Sequence, residues 1–314
     1  MPNDNQEPLV QALLSDRRAD RRWRNIRFFA GCALAVAALL AFKGGSSDDS
    51  GSAPGNDRYI SLVRVNGEIG PGKDVSAANL NPLLKKAFDD KQSKGVILLV
   101  NSPGGTPVQA TLIHDRILQL RKEHPEKHVV VVGEDTLASG AYLMSVAAEK
   151  IYVADGTVTG SIGVISNGFG FDKVLRQYGV EHRVFHAGAH KDRLDSFEPL
   201  SQDDTAKING LLDKLHDQFI NIVKTGRGNR LHGADNTLFS GDFWTGAEAV
   251  QLGLADGIGD LDSVAEKEFH VHTFREYSTP TPIWEQAVKK VTASLSLNLG
   301  ELTHANIEAK ASGF

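Results

Sequence analysis

Hydrophobic positions fall into short continuous runs that alternate with longer stretches of helical spacing. Tyr59–Val65 is a strand-like run that stops at Asn66-Gly67. Gly95–Val100 is a second, and Val129–Val132 a third. Short apolar runs rich in β-branched residues and bounded by turn residues read as buried strands. Between them, Ser76–Lys91 carries Leu80, Leu83, Leu84 and Phe88 at helical spacing, and Val108–Lys122 shows a helical pattern as well. Strand, glycine turn and helix in repetition predict right-handed crossovers, hence an α/β fold with a parallel sheet and helices on its faces. Further along, Glu181–Phe185 reads as a strand. Ser201–Lys224 reads as an amphipathic helix whose stripe (Ile208, Leu211, Leu212, Leu215, Phe219, Ile220, Val223) packs on the core or on another subunit. Glu285–Gly313 has a weak helical period and is a surface helix or a tail.

The N-terminal pattern is different. Residues 1–22 are polar, and Arg17, Arg18, Arg21, Arg22, Arg24 and Arg27 lead into the apolar run Phe28–Phe42. That run alone is shorter than the roughly 20 residues needed to cross a bilayer core. Counting from Trp23, with Arg24 and Arg27 snorkelling to the headgroups, restores the length. Basic residues before the run and only Lys43 just after it predict a cytoplasmic N-terminus and an exported body. No small-x-small cleavage site follows, which favours an uncleaved anchor over a signal peptide. A lipid-modified Cys32 would leave most of the apolar stretch on the wrong side of the cysteine. Gly44–Asp57, rich in Gly, Ser and Asp, is a flexible spacer by composition. The domain division is therefore a tail over 1–22, a transmembrane anchor over 23–43, a linker over 44–57, a folded domain over 58–275 and a C-terminal extension over 276–314.

Composition narrows the chemistry. The 314 residues carry a net charge of −5, which gives no reason to expect a nucleic-acid partner. A single cysteine rules out an intrachain disulfide or a cysteine zinc site. The eleven histidines show no HExxH-like spacing, so neither a metal nor a cofactor is expected.

Three local features carry candidate chemistry. Ser139 lies among small residues (Ala138, Gly140, Ala141) after a buried strand and before a Leu/Met/Ala-rich helical stretch. Backbone N–H groups are free at such a junction, which suits alkoxide formation and an oxyanion, although a serine there is more commonly a helix N-cap. The turn Asn101–Gly105 places adjacent glycines after a strand, where backbone amides can approach a ligand with no Cβ in between; an ordinary β–α turn looks the same. A nucleophilic serine needs a base. His114, His124, His128, His182, His186 and His190 are available, without a local pattern to mark any of them. Lys191, in a small-residue loop after Phe185, is the other option, because a desolvated lysine loses its proton near neutral pH.

Taken in order, Asn101-Ser102-Pro103-Gly104-Gly105, Ala138-Ser139-Gly140-Ala141-Tyr142, Thr159–Val164, Gly188-Ala189-His190-Lys191-Asp192, and Trp244–Ala247 through Gly253–Gly259 resemble the signal peptide peptidase A family of serine–lysine peptidases. The resemblance spans roughly residues 58–270. It implies a crotonase/Clp-protease-like β-α-β superhelix, here preceded by one transmembrane helix. It also implies that Ser139 is the nucleophile and Lys191 the general base, that Ser161 holds the lysine by a hydrogen bond, and that the N–H groups of Gly105 and Gly140 form the oxyanion hole. Thr106 stands where the family frequently has a third glycine, and Ala141 where a glycine often follows Ser-Gly. Neither departure removes a catalytic side chain. Relatives assemble into ring-like homo-oligomers, which gives the 201–224 stripe a possible second use.

The expected function is that of a single-pass serine endopeptidase of the bacterial inner membrane, held to lipid by its N-terminal helix. Its catalytic domain would face the exported side and degrade signal peptides or other membrane-derived peptides. A catalytically inactive scaffold on the same fold is the alternative from another class. Acyl-CoA chemistry also uses paired oxyanion amides but gives a Ser–Lys pair no role.

Overall fold

The computed structural model describes residues 58–278. The expected anchor, linker and helical stretch over Glu285–Gly313 lie outside the described residues. Within them, the apolar runs form the centre of one sheet. In chain order come β1 (Tyr59–Asn66), α1 (Ala77–Asp89), β2 (Ser93–Ser102), α2 (Pro107–Glu123), β3 (His128–Ala138), α3 (Gly140–Ser145), β4 (Lys150–Val153) and β5 (Val158–Gly160). They are followed by α4 (Asp172–Gln177), α5 (Gln202–Arg227), α6 (Asp235–Leu238), β6 (Phe243–Thr245), α7 (Gly246–Gln251), β7 (Gly257–Ile258), α8 (Leu261–Phe269) and β8 (Phe274–Tyr277). The strands run in the order β6-β5-β3-β2-β1-β8, with β4 paired to β3 and β7 to β4. The β5–β6 pair is antiparallel, and the other pairs are parallel.

The central strands are apolar at successive positions because both faces of a parallel sheet are covered. Val63, Val65, Val96, Leu98, Val129 and Val131 point to one face, against α1, α2 and α3. The alternate residues Ile60, Leu62, Ile97, Leu99, Val130 and Val132 point to the other, against Val264, Ala265 and Phe269 of α8. Burying each such side chain contributes about 1.5–3 kcal/mol.

β3 is the strand that positions the site. Its first half pairs with β4, Val130–Gly133 opposite Lys150–Val153. Its end pairs with β5, Thr136–Ala138 opposite Val158–Gly160. Between these halves its register against β2 slips, because Val100 faces Gly133 while Ser102 faces Leu137. Extra residues on one strand bend it, and this bulge turns the end of β3 out of the main sheet towards β5.

Two expectations need correction. Glu181–Phe185 forms no strand; all five residues are exposed and without a paired neighbour among the described residues. Backbone N–H and C=O groups gain nothing from an extended conformation unless a second strand accepts them. In fact no residue from Gly163 to Leu200 is buried, and Ile165, Phe169, Tyr178 and Phe185 are all largely exposed. The amphipathic helix α5 forms as expected, but only Phe219 and Val223 of its apolar stripe are buried, while Leu211 is half exposed. Its C-terminal half packs on the core and its N-terminal half does not.

An ion cluster fixes that C-terminal half. Arg227, the last residue of α5, has a side chain only 2% exposed. Its Nη1 donates to Asp256 Oδ2 at 2.6 Å and its Nε to the Gly253 carbonyl at 2.8 Å. The Ile151 amide and Arg230 complete the shell around the carboxylate. Burial acts to raise the Asp256 pKa, but hydrogen bonds and charge from Arg227, with the Ile151 amide and Arg230, outweigh it and hold the carboxyl below its ordinary value. A depressed carboxyl stabilises the fold above its unfolded pKa of about 3.9, and that contribution is lost as pH falls through the folded value. Arg227→Ala removes the most buried cation from a largely buried carboxylate, which keeps Arg230 and the Ile151 amide, and is expected to lower the unfolding free energy by up to about 3–5 kcal/mol at neutral pH. Urea denaturation at pH 7 measures this; a loss below about 1 kcal/mol would show the pair to be dispensable.

Candidate active site

Ser139 follows β3 directly and has φ 53° and ψ −124°, a conformation that L-residues rarely adopt. An N-cap serine sits in the extended region and accepts a hydrogen bond from the helix. Ser139 makes no such side-chain bond, so it does not cap α3. Among the described residues its Oγ is free of protein partners. Strain of this kind costs on the order of 1–3 kcal/mol and persists only where the surroundings over-determine it. Here the Ser139 amide donates to the Gly160 carbonyl at 2.8 Å, and its own carbonyl accepts the first helical bond, from the Leu143 amide, at 2.9 Å.

The glycine turn after β2 closes on the same point. The Ile69 amide donates to the Gly104 carbonyl at 2.8 Å, and the Thr106 amide donates to the Ile69 carbonyl at 2.9 Å. These two bonds take up the groups on either side of Gly105 and leave its own N–H facing away from Ile69. A side chain at Gly104 would place Cβ 2.6 Å from the Gly140 nitrogen and 2.8 Å from Ser139 Cβ. An ideal Cβ on Gly140 lies 3.2 Å from the Gly105 nitrogen. The amides of Gly105 and Gly140 are thus neighbours, and Gly140, as the first residue of α3, has no intrahelical acceptor. Two adjacent amides beside a free hydroxyl can stabilise an oxyanion formed on a carbonyl under attack.

Ser161 lies just past β5 and is also left-handed, with φ 48°. Its amide donates to the Asp242 carbonyl at 2.8 Å, and its carbonyl accepts from the Gly163 amide at 2.9 Å. Ser139, Gly140, Gly105 and Ser161 all line one cavity of about 510 Å³, walled by Leu143, Leu215 and Phe219.

Lys191 does not line that cavity. It sits in the exposed segment between Gly163 and Leu200, its amide donating to the Gly188 carbonyl at 3.1 Å. A single chain therefore brings together four of the five expected site residues and leaves the lysine outside. The histidines weighed as bases are outside as well: His114 pairs with Asp115, His128 with Glu149, His182 with Asp195 and His186 with Asp192. The histidine that does line the cavity is His216, on α5, whose Nε2 is 2.9 Å from the Ile162 carbonyl oxygen. Its signal in the sequence was faint, a polar position one turn before Phe219 at the edge of the apolar stripe. Among the described residues no group of three metal-ligating side chains occurs.

The sequence pattern of peptidase family S49 matches residues 121–270. A Na(+)/H(+) antiporter NhaA of Brucella abortus is 42% identical over 215 residues, covering 67% of this chain and 29% of that protein. A putative signal peptide peptidase SppA of Enterococcus faecium is 34% identical over 203 residues, or 63% of this chain and 58% of that protein. A putative protease, slr0021, of Synechocystis is 31% identical over 203 residues, or 64% of this chain and 70% of that protein. The chain thus spans less than two thirds of the first of these relatives and of the second.

The close approach of the glycine turn to α3 gives a direct test. Gly104→Ala puts a Cβ onto the Gly140 nitrogen at a φ of 94°, and is expected to cost about 1–3 kcal/mol. Gly156→Ala, where nothing lies within 4 Å and φ is ordinary, should be neutral or slightly stabilising. Thermal denaturation of the two variants side by side measures the difference; equal midpoints would mean that the turn does not press on the amide of Gly140.

Proposed function

Because the chain belongs to peptidase family S49, we propose that it is a membrane-anchored serine endopeptidase that uses Ser139 and Lys191 as a catalytic dyad. The observation that carries the reading is Ser139 itself: strained, uncapped, open to a cavity and flanked by two free glycine amides. A serine with a structural role would be expected to use its hydroxyl locally. In this reading the domain is a crotonase/Clp-protease-like superhelix on the exported side of the bacterial inner membrane, tethered by residues 23–43. Its substrates are signal peptides or other exported or membrane-derived peptides.

Neutral Lys191 takes the proton of the Ser139 hydroxyl as Oγ bonds to the scissile carbonyl carbon. The amides of Gly105 and Gly140 hold the oxyanion. The C–N bond then breaks, and the lysine returns its proton to the leaving amine. Water, deprotonated by the same lysine, adds to the ester carbonyl; the C–Oγ bond breaks and Oγ regains its proton. The lysine must be unprotonated to start, which requires a desolvated environment that an exposed loop does not offer.

Assembly supplies that environment. The stretch from Gly163 to Leu200 leaves large apolar side chains bare, among them Phe169 at 81% and Phe185 at 94% exposure. Apolar surface of this kind is normally covered by another molecule. A ring-like homo-oligomer that buries the segment can bring Lys191 of the partner subunit to the cavity of Ser139, with Ser161 as its hydrogen-bond acceptor.

Ser139→Ala and Lys191→Ala are each expected to abolish peptide hydrolysis, and the double variant should be no worse than either. Mixing the two single variants under conditions that exchange subunits is expected to restore about one quarter of the activity by random pairing. No recovery would place both members of the dyad in one chain. Normal hydrolysis by either single variant would defeat the assignment, and an inert wild-type protein would favour the scaffold alternative.

A further inference from the structure

We propose that His216 is a positioning residue for the site, holding the Ser161 turn in its left-handed form from across the cavity. The inference rests on the peptidase reading above but on different atoms. His216 lies on α5, the helix that supplies the apolar wall through Leu215 and Phe219, and it lines the same cavity as Ser139 and Ser161. Its Nε2 is 2.9 Å from the carbonyl oxygen of Ile162, the residue immediately after Ser161. A carbonyl oxygen only accepts, so Nε2 carries the proton and donates it.

That bond completes a set. The Ser161 turn has no regular secondary structure of its own, and its φ of 48° is unfavourable for a residue with a side chain. It is held on the β6 side by the Ser161 amide, which donates to Asp242, and internally by the Gly163 amide, which donates back to Ser161. The buried side chain of Ile162 anchors it below. The bond from His216 is the tie that joins it to α5, which is itself fixed to the core by Arg227. One residue before the turn, the Gly160 carbonyl receives the Ser139 amide. Loss of the His216 donor therefore frees the Ile162–Gly163 peptide plane, whose N–H bonds back to the carbonyl of Ser161, the strained residue whose hydroxyl is to meet the lysine. The ring is not placed to exchange a proton with substrate through Nε2, because that proton is already committed to Ile162. Its effect is on geometry, so it belongs to turnover more than to substrate affinity.

The test uses two substitutions in the full-length protein. Gln carries an amide N–H the same number of bonds from Cα as the histidine Nε2, whereas Leu keeps bulk and has no donor. His216→Leu is expected to lower kcat roughly three- to tenfold, the range of one net hydrogen bond, with KM within about twofold of wild type. His216→Gln should recover most of the loss. In hydrogen exchange, the amides of Ser161 and Gly163 should exchange faster in His216→Leu and at wild-type rates in His216→Gln. Equal behaviour of the Leu and Gln variants, whether both impaired or both normal, would overturn the positioning role. If the wild-type protein hydrolyses no peptide, or hydrolysis survives Ser139→Ala, the peptidase reading fails. The exchange rates then decide the His216 tie by themselves: faster exchange in the Leu variant alone upholds it, and no difference refutes it.

Discussion

One hydrogen bond organises the site: the Ser139 amide donating to the Gly160 carbonyl at 2.8 Å. It continues a parallel pairing in which Ala138 faces Gly160, so the residues that leave the two strands, Ser139 and Ser161, leave them side by side. Both are left-handed, and both would be costly anywhere else. Because side chains alternate along a strand, a slip of one residue in this pairing would send one serine to the opposite face. The bulge between Gly133 and Leu137 is what allows β3 to reach β5 at all, having already spent its first half on β4.

The elements around this pair shape one side of an open cavity. The glycine turn after β2 comes so close to α3 that a Cβ at Gly104 has no room, and that closeness puts two amides next to one hydroxyl. The C-terminal half of α5, pinned by the Arg227–Asp256 pair, forms the apolar wall. What the single chain does not do is close the cavity. The stretch that carries Lys191 has no buried residue, and the N-terminal half of α5 stands clear of the core. In the proposed mechanism, a base that needs desolvation and an apolar surface left bare have one remedy, a second copy of the chain.

The central strands and the helices between them were legible because continuous burial on both faces leaves a continuous apolar run, as in Val96–Val100 and Val129–Val132. The three-residue β5 and the bulge in β3 were not, since neither has enough residues to set a period. Glu181–Phe185 reads as strand-like yet stays unpaired, because a short local pattern says nothing about whether a neighbouring strand exists. Ser139 and the glycines stood out through their small neighbours and their place after strands. His216 did not, because its use depends on a carbonyl far away in the chain. Lys191 was a candidate from its small-residue loop, but only the family resemblance set it apart from a solvated loop lysine. The proposed anchor over residues 23–43 rests on its basic flank and apolar length, and among the described residues no helix is long and apolar enough to cross a membrane.

The central claim is that Ser139 is an activated nucleophile, and reaction with a serine-directed fluorophosphonate tests it most directly. Mass spectrometry of the labelled full-length protein should find a single adduct on the peptide containing Ser139, and none when Lys191 is replaced by alanine. Modification at another serine, or labelling that proceeds unchanged without Lys191, would contradict the account.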